Sequence, residues 1–234
     1  MADIAFLITT WRSVDWLDIN TKIVAINSFP NPNNYSYKFY VAAPKELRGQ
    51  RLSNVEFVKD KGTGSAAAFN LLAKKSEEDF IIVLTDVSNP PENIFDMVSH
   101  LESLPFKLSS FTVAGGKCSA PHEEAKGAMI LRWPCIGRFE LDNYLEGVLF
   151  NESFKHHFVD NWIGAWTTLE GFPCTESDIT IGISPHASRG EDDEYDSKIF
   201  KLLLEDYASN KNRNYNNLIV LDDEYNRIKK EPLG

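Results

Sequence analysis

The sequence has little of what marks disulfide-rich, membrane-spanning or nucleic-acid-binding proteins. It contains three cysteines, and they are widely spaced with no Cys-x-x-Cys pair: Cys118, Cys135 and Cys174. This odd, scattered set predicts buried thiols in a reducing compartment. No window approaches the roughly 18 consecutive apolar residues of a membrane span, so we expect no transmembrane segment.

Positive charge is also scarce, because 24 Lys and Arg face 34 Asp and Glu, which gives a net charge of −10. A nucleic-acid backbone needs a basic surface, so we exclude nucleic acid as a bulk partner. A small nucleotide needs only a few local donors and stays compatible with this charge. The amino-terminal stretch MADIAFLI lacks the basic region and the long apolar run of a signal peptide, and we expect a cytoplasmic protein.

What is present is an ordinary globular composition, with 43% hydrophobic and 25% charged residues. Over the first hundred residues, short apolar runs alternate with helical patterns. We predict strands at residues 4–9, 37–43, 55–58 and 80–84, and helices from residue 13, over residues 66–76 and from residue 90. This alternation predicts an α/β protein with a mostly parallel central sheet flanked by helices, Rossmann-like in its first half.

The second half is less regular. We predict a strand at residues 127–133, a helix from Glu191, and a final strand or packed tail at residues 217–221. Neither a repeat nor an interdomain linker is visible. We therefore predict a single domain over residues 1–234.

In parallel sheets, ligands bind beyond the carboxyl ends of the strands. The residues expected at that edge are Thr9, Thr10, Trp11, Arg12, the turn with Gly62 and Gly64, and Asp86. A glycine turn that opens a helix suits a phosphate group, although a plain turn has the same pattern. It is neither a P-loop nor a dinucleotide fingerprint. Asp86 is either a turn residue or a ligand of a hard divalent cation held mainly by a diphosphate.

Three later features each have two interpretations. The stretch RGEDDEYD, residues 189–196, either complements a helix dipole or supplies a general base. His186 is a metal ligand, a phosphate contact or a surface residue. Trp162 and Trp166, four residues apart, form either a core pair or an aromatic platform for a sugar ring.

Together these pieces resemble the glycosyltransferases of the GT-A fold, nearest the inverting family 2. Matches to that family's motifs come in the family's order: Gly64, Ala68 and Asn70 in its helix motif, Asp86 in its Asp-x-Asp region, Pro90-Pro91 after it, and Glu191-Asp192 at its late acidic pair. The resemblance covers residues 3–104 and is thin over residues 105–185. Three stretches depart from the family. Val41 to Pro44, with Ala42, stand at its second-strand aspartate; Thr85-Asp86-Val87 stand at its Asp-x-Asp, so that only the middle residue is a carboxylate; and the first strand ends in Thr9 to Arg12.

The resemblance implies sugar transfer from a nucleotide-diphosphate donor to a hydroxyl of a carbohydrate or glycoconjugate acceptor, with inversion. Residues 1–104 would bind the nucleotide, and residues 105–234 would bind the acceptor and supply the base. Asp192 is the expected base, with Glu191 next. The nucleotide would contact Thr9, Thr10, Trp11, Arg12, Lys61, Gly64, Asn70 and Asp86. A divalent metal, Mn or Mg, would lie on Asp86 and His186. From charge alone, Arg12, Lys59 or Lys61 are candidates to supply positive charge in place of a full metal shell.

Two other functions stay open. A sugar-phosphate nucleotidyltransferase shares the nucleotide-binding style, but its glycine-rich loop normally follows the first strand, where Thr-Thr-Trp-Arg stands here. A non-catalytic domain that binds nucleotide sugars or carbohydrates would explain Ala42 and Val87.

Overall fold

Strands and helices alternate through the first half of the chain, as the sequence predicts. The computed structural model describes residues 2–11, 13–62, 64–113, 130–154, 159–183 and 193–209, with only the backbone at 193, 194 and 206–209. The strands are β1 (Asp3–Thr9), β2 (Ser36–Ala43), β3 (Val55–Lys59), β4 (Phe80–Thr85), β5 (Ser88–Asn89), β6 (Leu108–Val113), β7 (Pro134–Gly137) and β8 (Thr175–Ile183). The helices are α1 (Trp16–Ser28), α2 (Ser65–Lys75), α3 (Asp96–Ser103), α4 (Arg138–Tyr144), α5 (Val159–Leu169) and α6 (Asp193–Ser209).

The strands of the described residues form one sheet in the order β3-β2-β1-β4-β7-β6-β8-β5. The first four are parallel, and so are β6 and β8. Strand β7 runs antiparallel to both of its neighbours, and β5 runs antiparallel to β8. The predicted α/β class with a mostly parallel sheet is therefore confirmed.

Two hydrophobic cores cover the two faces of this sheet. Alternate side chains of β1 enter opposite cores: Ile4, Phe6 and Ile8 pack on one face, and Ala5 and Leu7 on the other. This follows from the two-residue period of a strand that is buried on both faces. The core that contains Ile4, Phe6 and Ile8 also includes the apolar face predicted for α1. All of its members are buried: Trp16, Ile19, Ile23 and Ile26.

Three predicted elements differ from the structure. The helix expected from residue 90 begins only at Asp96, because residues 91–95 form tight turns, with the Ile94 N–H bonded to the Pro91 carbonyl. Of the strand predicted at residues 127–133, residues 130–133 are not a strand, and β7 begins instead at Pro134. Helix α6 begins at Asp193, whereas Glu191 lies outside the described residues.

The strand or tail predicted at residues 217–221 also lies outside the described residues. Among the helices of the described ranges, none has both the length and the apolar character that crossing a bilayer requires.

Candidate functional site

The carboxyl ends of β1, β2 and β4 meet at one edge of the sheet. Thr9 pairs in register with Ala42 on one side and with Thr85 on the other. Beyond the strands, the Thr10 N–H donates to the Ala42 carbonyl (3.0 Å), and the Asp86 N–H donates to the Thr9 carbonyl (3.2 Å). These backbone bonds bring the Thr-Thr-Trp stretch and Asp86 together.

The Asp86 carboxylate has a fixed orientation at this edge. Its Oδ2 accepts hydrogen bonds from the Thr10 hydroxyl (3.0 Å) and from the Trp11 N–H (3.3 Å). The Thr10 oxygen accepts in turn from the Ser13 N–H (3.1 Å). Because Asp86 is half-buried, its charge lies in a partly desolvated setting where an electrostatic interaction is stronger than in bulk water.

The glycine turn lies next to Trp11. Gly62 has φ +68°, and a Cβ there would lie 3.3 Å from Pro44 and 3.9 Å from the Trp11 ring. The Gly62 N–H donates to the Asp60 carboxylate (2.6 Å), which holds the turn. The Trp11 indole is 45% exposed, so the edge presents an accessible aromatic ring. Lys61 is exposed beside this turn.

Helix α2 begins at Ser65, and its N-cap Gly64 has a φ of +137°, a conformation that L side chains rarely adopt. As the N-cap, Gly64 offers no side chain to the first-turn N–H groups of the helix. A helix N-terminus next to a glycine turn favours an anion, because its N–H groups and its dipole both attract negative charge.

Asn70, predicted to bind nucleotide, joins the two halves of the chain. Its amide donates to the Phe150 carbonyl (2.7 Å) and to the Glu152 carboxylate (3.0 Å), and its oxygen accepts from the Phe150 N–H (2.9 Å). The side chain is only 7% exposed. A nucleotide contact of Asn70 stays a prediction, whereas its link between α2 and residues 150–152 is observed.

We expect Asn70→Ala to lower the free energy of unfolding by about 2–4 kcal/mol, because it leaves buried N–H and C=O groups of Phe150 without their partner. Urea denaturation followed by circular dichroism measures this loss. Asn143→Ala, on an exposed position of α4, is the matched control and is expected to stay within about 0.5 kcal/mol of wild type. Equal losses in both variants would contradict the joining role of Asn70.

Asp160 is a candidate that the sequence interpretation missed. It stands in the first turn of α5, and its carbonyl accepts from the Leu131 N–H (3.2 Å). Two residues further on, the Trp133 indole N–H donates to the Thr85 hydroxyl (3.2 Å), directly before Asp86. These two bonds connect the start of α5 to the edge that carries Asp86. An acidic residue that opens a helix after an irregular stretch is the signal in the sequence.

Trp133 has a strained backbone at this connection. Its φ is +48°, which is rare for a bulky side chain. The half-buried ring packs against both hydrophobic cores. The strain therefore occurs where the chain enters β7, beside the end of β4.

Trp162 and Trp166 do not form a sugar platform, and that interpretation is wrong. Both are buried in the core. The Trp162 ring contacts Phe200 of α6 (centroids 6.3 Å apart), and the Trp166 ring contacts Phe172 (5.5 Å). Because Trp162 packs against α6 and Trp166 packs against Phe172, the helical spacing of the pair reflects packing in the core.

Several predicted site residues lie outside the described residues: Arg12, His186, Glu191 and Asp192. Strand β8, which precedes His186, Glu191 and Asp192 in the chain, ends near Asp86, because its last residue Ile183 pairs with Ser88. After them, the Tyr195 hydroxyl donates to the Ser153 carbonyl (3.5 Å).

The described residues contain no group of three or more His, Cys, Asp or Glu side chains arranged to hold a metal ion. At the strand tips the protein supplies the Asp86 carboxylate. A carboxylate such as that of Asp86 suits a hard divalent ion that takes most of its other ligands from water and a diphosphate.

Searches against models of protein families and against curated proteins find no match. Solved structures do match. Glucosyl-3-phosphoglycerate synthase from Mycobacterium tuberculosis, in complex with phosphoglyceric acid, has a TM-score of 0.60 at 13% identity, over 87% of this chain and 80% of that one. Another structure of that enzyme, with Mn2+, UDP and phosphoglyceric acid, has a TM-score of 0.56 at 12% identity, over 86% of this chain and 77% of that one.

A fragment of S. aureus TarS, residues 1–349 in complex with UDP, matches with a TM-score of 0.54 at 11% identity, over 86% of this chain and 65% of that one. The same fragment has also been solved with UDP-GlcNAc. This chain thus spans less than two thirds of the TarS fragment. Both proteins are GT-A glycosyltransferases, and at these identities the likeness confirms the predicted GT-A fold.

Proposed function

We propose that the protein is a glycosyltransferase that transfers a sugar from a UDP-sugar donor to a hydroxyl group of a carbohydrate or glycoconjugate acceptor. The observation that carries this proposal is the meeting of Thr10, Trp11, the glycine turn and Asp86 at one edge of a GT-A sheet. The UDP complexes of two proteins with this fold support uracil as the nucleobase of the donor.

In this proposal each part of the edge binds one part of the donor. The exposed Trp11 indole stacks on the uracil ring, because an aromatic face packs well on a flat base. The start of α2 after Gly64 binds a phosphate group. Asp86 lies between the diphosphate and the sugar, and Lys61 adds positive charge from the rim.

A divalent ion, bound by Asp86 and by the donor diphosphate, would supply positive charge that neutralises the leaving UDP. Complexes of a similar structure with Mn2+ or with Mg2+ support an ion of this kind. His186 as a further ligand stays a prediction. Thr10 and Trp11 orient the Asp86 carboxylate by their hydrogen bonds. The position of this carboxylate would in turn fix the position of the ion and of the diphosphate bound to it.

Transfer with inversion needs one carboxylate on the acceptor side. That carboxylate takes the proton of the acceptor hydroxyl. At the same time, the hydroxyl oxygen attacks the anomeric carbon, and the bond between that carbon and the UDP oxygen breaks. Among the described residues we propose Asp160 for this role, because its main-chain carbonyl accepts from the Leu131 N–H, and Trp133, two residues further on, donates to Thr85 beside Asp86. The sequence motif predicts Asp192, and Glu191 next, so the two aspartates are rival bases.

A thermal-shift screen tests the proposal, using UDP-, GDP-, CMP- and dTDP-sugars with and without Mn2+. We expect a UDP-sugar to raise the melting temperature, since a ligand at 100 times its Kd adds about 2.7 kcal/mol to stability. We also expect slow release of UDP from the donor without acceptor. Pyrophosphate formed from a nucleoside triphosphate would instead indicate a nucleotidyltransferase. A shift without UDP release in any assay would indicate a non-catalytic binding domain.

A further inference from the structure

Lys22 of helix α1 reaches the turn that carries Asp86. Its ammonium donates to the Ser88 carbonyl (2.6 Å) and lies 3.5 Å from the Asn89 side-chain oxygen. The same turn is closed from inside by the Ser88 hydroxyl, which donates to the Thr85 carbonyl (2.8 Å) and accepts from the Thr85 N–H (3.0 Å). Lys22 therefore contacts a turn that is already well ordered.

A second chain of hydrogen bonds leads from the same helix to the Asp86 carboxylate. Asp18, one helical turn before Lys22, accepts from the Ser13 hydroxyl (2.7 Å). The Ser13 N–H donates to the Thr10 oxygen, and the Thr10 hydroxyl donates to Asp86. Helix α1 thus holds both the turn after β4 and the stretch after β1, with Lys22 on the first and Asp18 on the second.

The charge of Lys22 is placed to act on Asp86. Lys22 is half-buried, and this burial lowers the pKa of its ammonium below the ordinary value, although the negative charges of Asp86 and Asp18 offset part of the shift. Asp18 and Lys22 also have the favourable i, i+4 order on one helix. The hydrogen bond to the Ser88 carbonyl therefore places a positive charge two residues along the chain from Asp86, whose carboxylate by itself would repel an anionic diphosphate.

We propose that Lys22 is a positioning residue for Asp86 and that its ammonium offsets the Asp86 charge, so that the edge binds a nucleoside diphosphate even without a divalent ion. This inference rests on the proposed function for its ligand. The Lys22 ammonium would then supply positive charge beside Asp86, where the family motif would provide a full metal shell.

Three variants test the inference: Lys22→Met, which removes the charge, Lys22→Arg, which keeps it, and Lys74→Met, which removes an exposed lysine at the end of α2. Calorimetric titration of UDP is done with EDTA and with Mn2+. We expect Lys22→Met to weaken metal-free UDP binding about tenfold, as the loss of one nearby charge implies. Mn2+ should restore most of that loss, because the uncovered carboxylate attracts the ion more strongly. Lys22→Arg and Lys74→Met should bind like wild type.

Hydrogen exchange of the same variants measures the positioning role without any ligand. We expect faster exchange of the Asp86 and Trp11 amides in Lys22→Met and wild-type exchange in the other two. UDP binding and exchange in Lys22→Met that both equal those of Lys74→Met would overturn the inference. If wild type bound no UDP in either buffer, the proposed function would be refuted, and the charge role would be refuted with it. The exchange rates would then decide the positioning role alone.

Discussion

We expect that replacing Asp160 by asparagine lowers kcat for the proposed sugar transfer about 10²- to 10⁴-fold, the usual contribution of a positioned general base. The asparagine oxygen still accepts from the Asn161 N–H, as Asp160 does at 3.0 Å, so we expect an unchanged fold. The measurement is steady-state transfer with the donor identified by thermal shift. Because the base acts only in the transition state, we expect KM for the donor to stay near the wild-type value.

Asp192→Asn is the matched variant for this prediction. If Asp160 is the base, Asp192→Asn keeps most of the wild-type kcat. If Asp192→Asn loses transfer and Asp160→Asn does not, the base is the residue that the sequence motif predicts. If both variants transfer sugar at the wild-type rate, neither carboxylate takes the acceptor proton.

We expect that replacing Asp86 by asparagine weakens the proposed Mn2+-dependent UDP binding about ten- to a hundredfold. The change removes the negative charge that would bind the ion, while the side-chain oxygen still accepts from Thr10 and Trp11. Calorimetric titration of UDP at fixed Mn2+ measures the effect. Asp96→Asn, at the exposed start of α3, is the control and is expected to bind UDP like wild type. Unchanged Mn2+-dependent binding in Asp86→Asn would contradict a metal role for Asp86.

The fold of the first hundred residues follows from local patterns in the sequence. The strands are short apolar runs, and the buried residues of α1 recur at helical spacing. Both can therefore be predicted from the local sequence, without knowledge of the residues they pack against. The meeting of Thr10 and Asp86 at one edge follows from the parallel order of the strands. Their hydrogen bond was not predictable, because it depends on the turn geometry after each strand.

The second half depends on distant partners and is less predictable. Strand β7 has four residues, begins with a proline, and pairs antiparallel with strands on both sides. The spacing of Trp162 and Trp166 places them on one face of α5, but only the packing of α6 decides that this face is buried. Asp160 looks like a charge that complements the helix dipole, and only its contacts through Leu131 connect it to the site.

A crystal structure of the protein with UDP and Mn2+ tests the central claim most directly, namely that the carboxyl edge of the sheet is the donor cleft. We predict the uracil against Trp11, the diphosphate between the start of α2 and Asp86, and the Asp160 carboxylate facing the open side of the cleft. UDP bound away from this edge, with the Asp86 turn untouched, would contradict the claim.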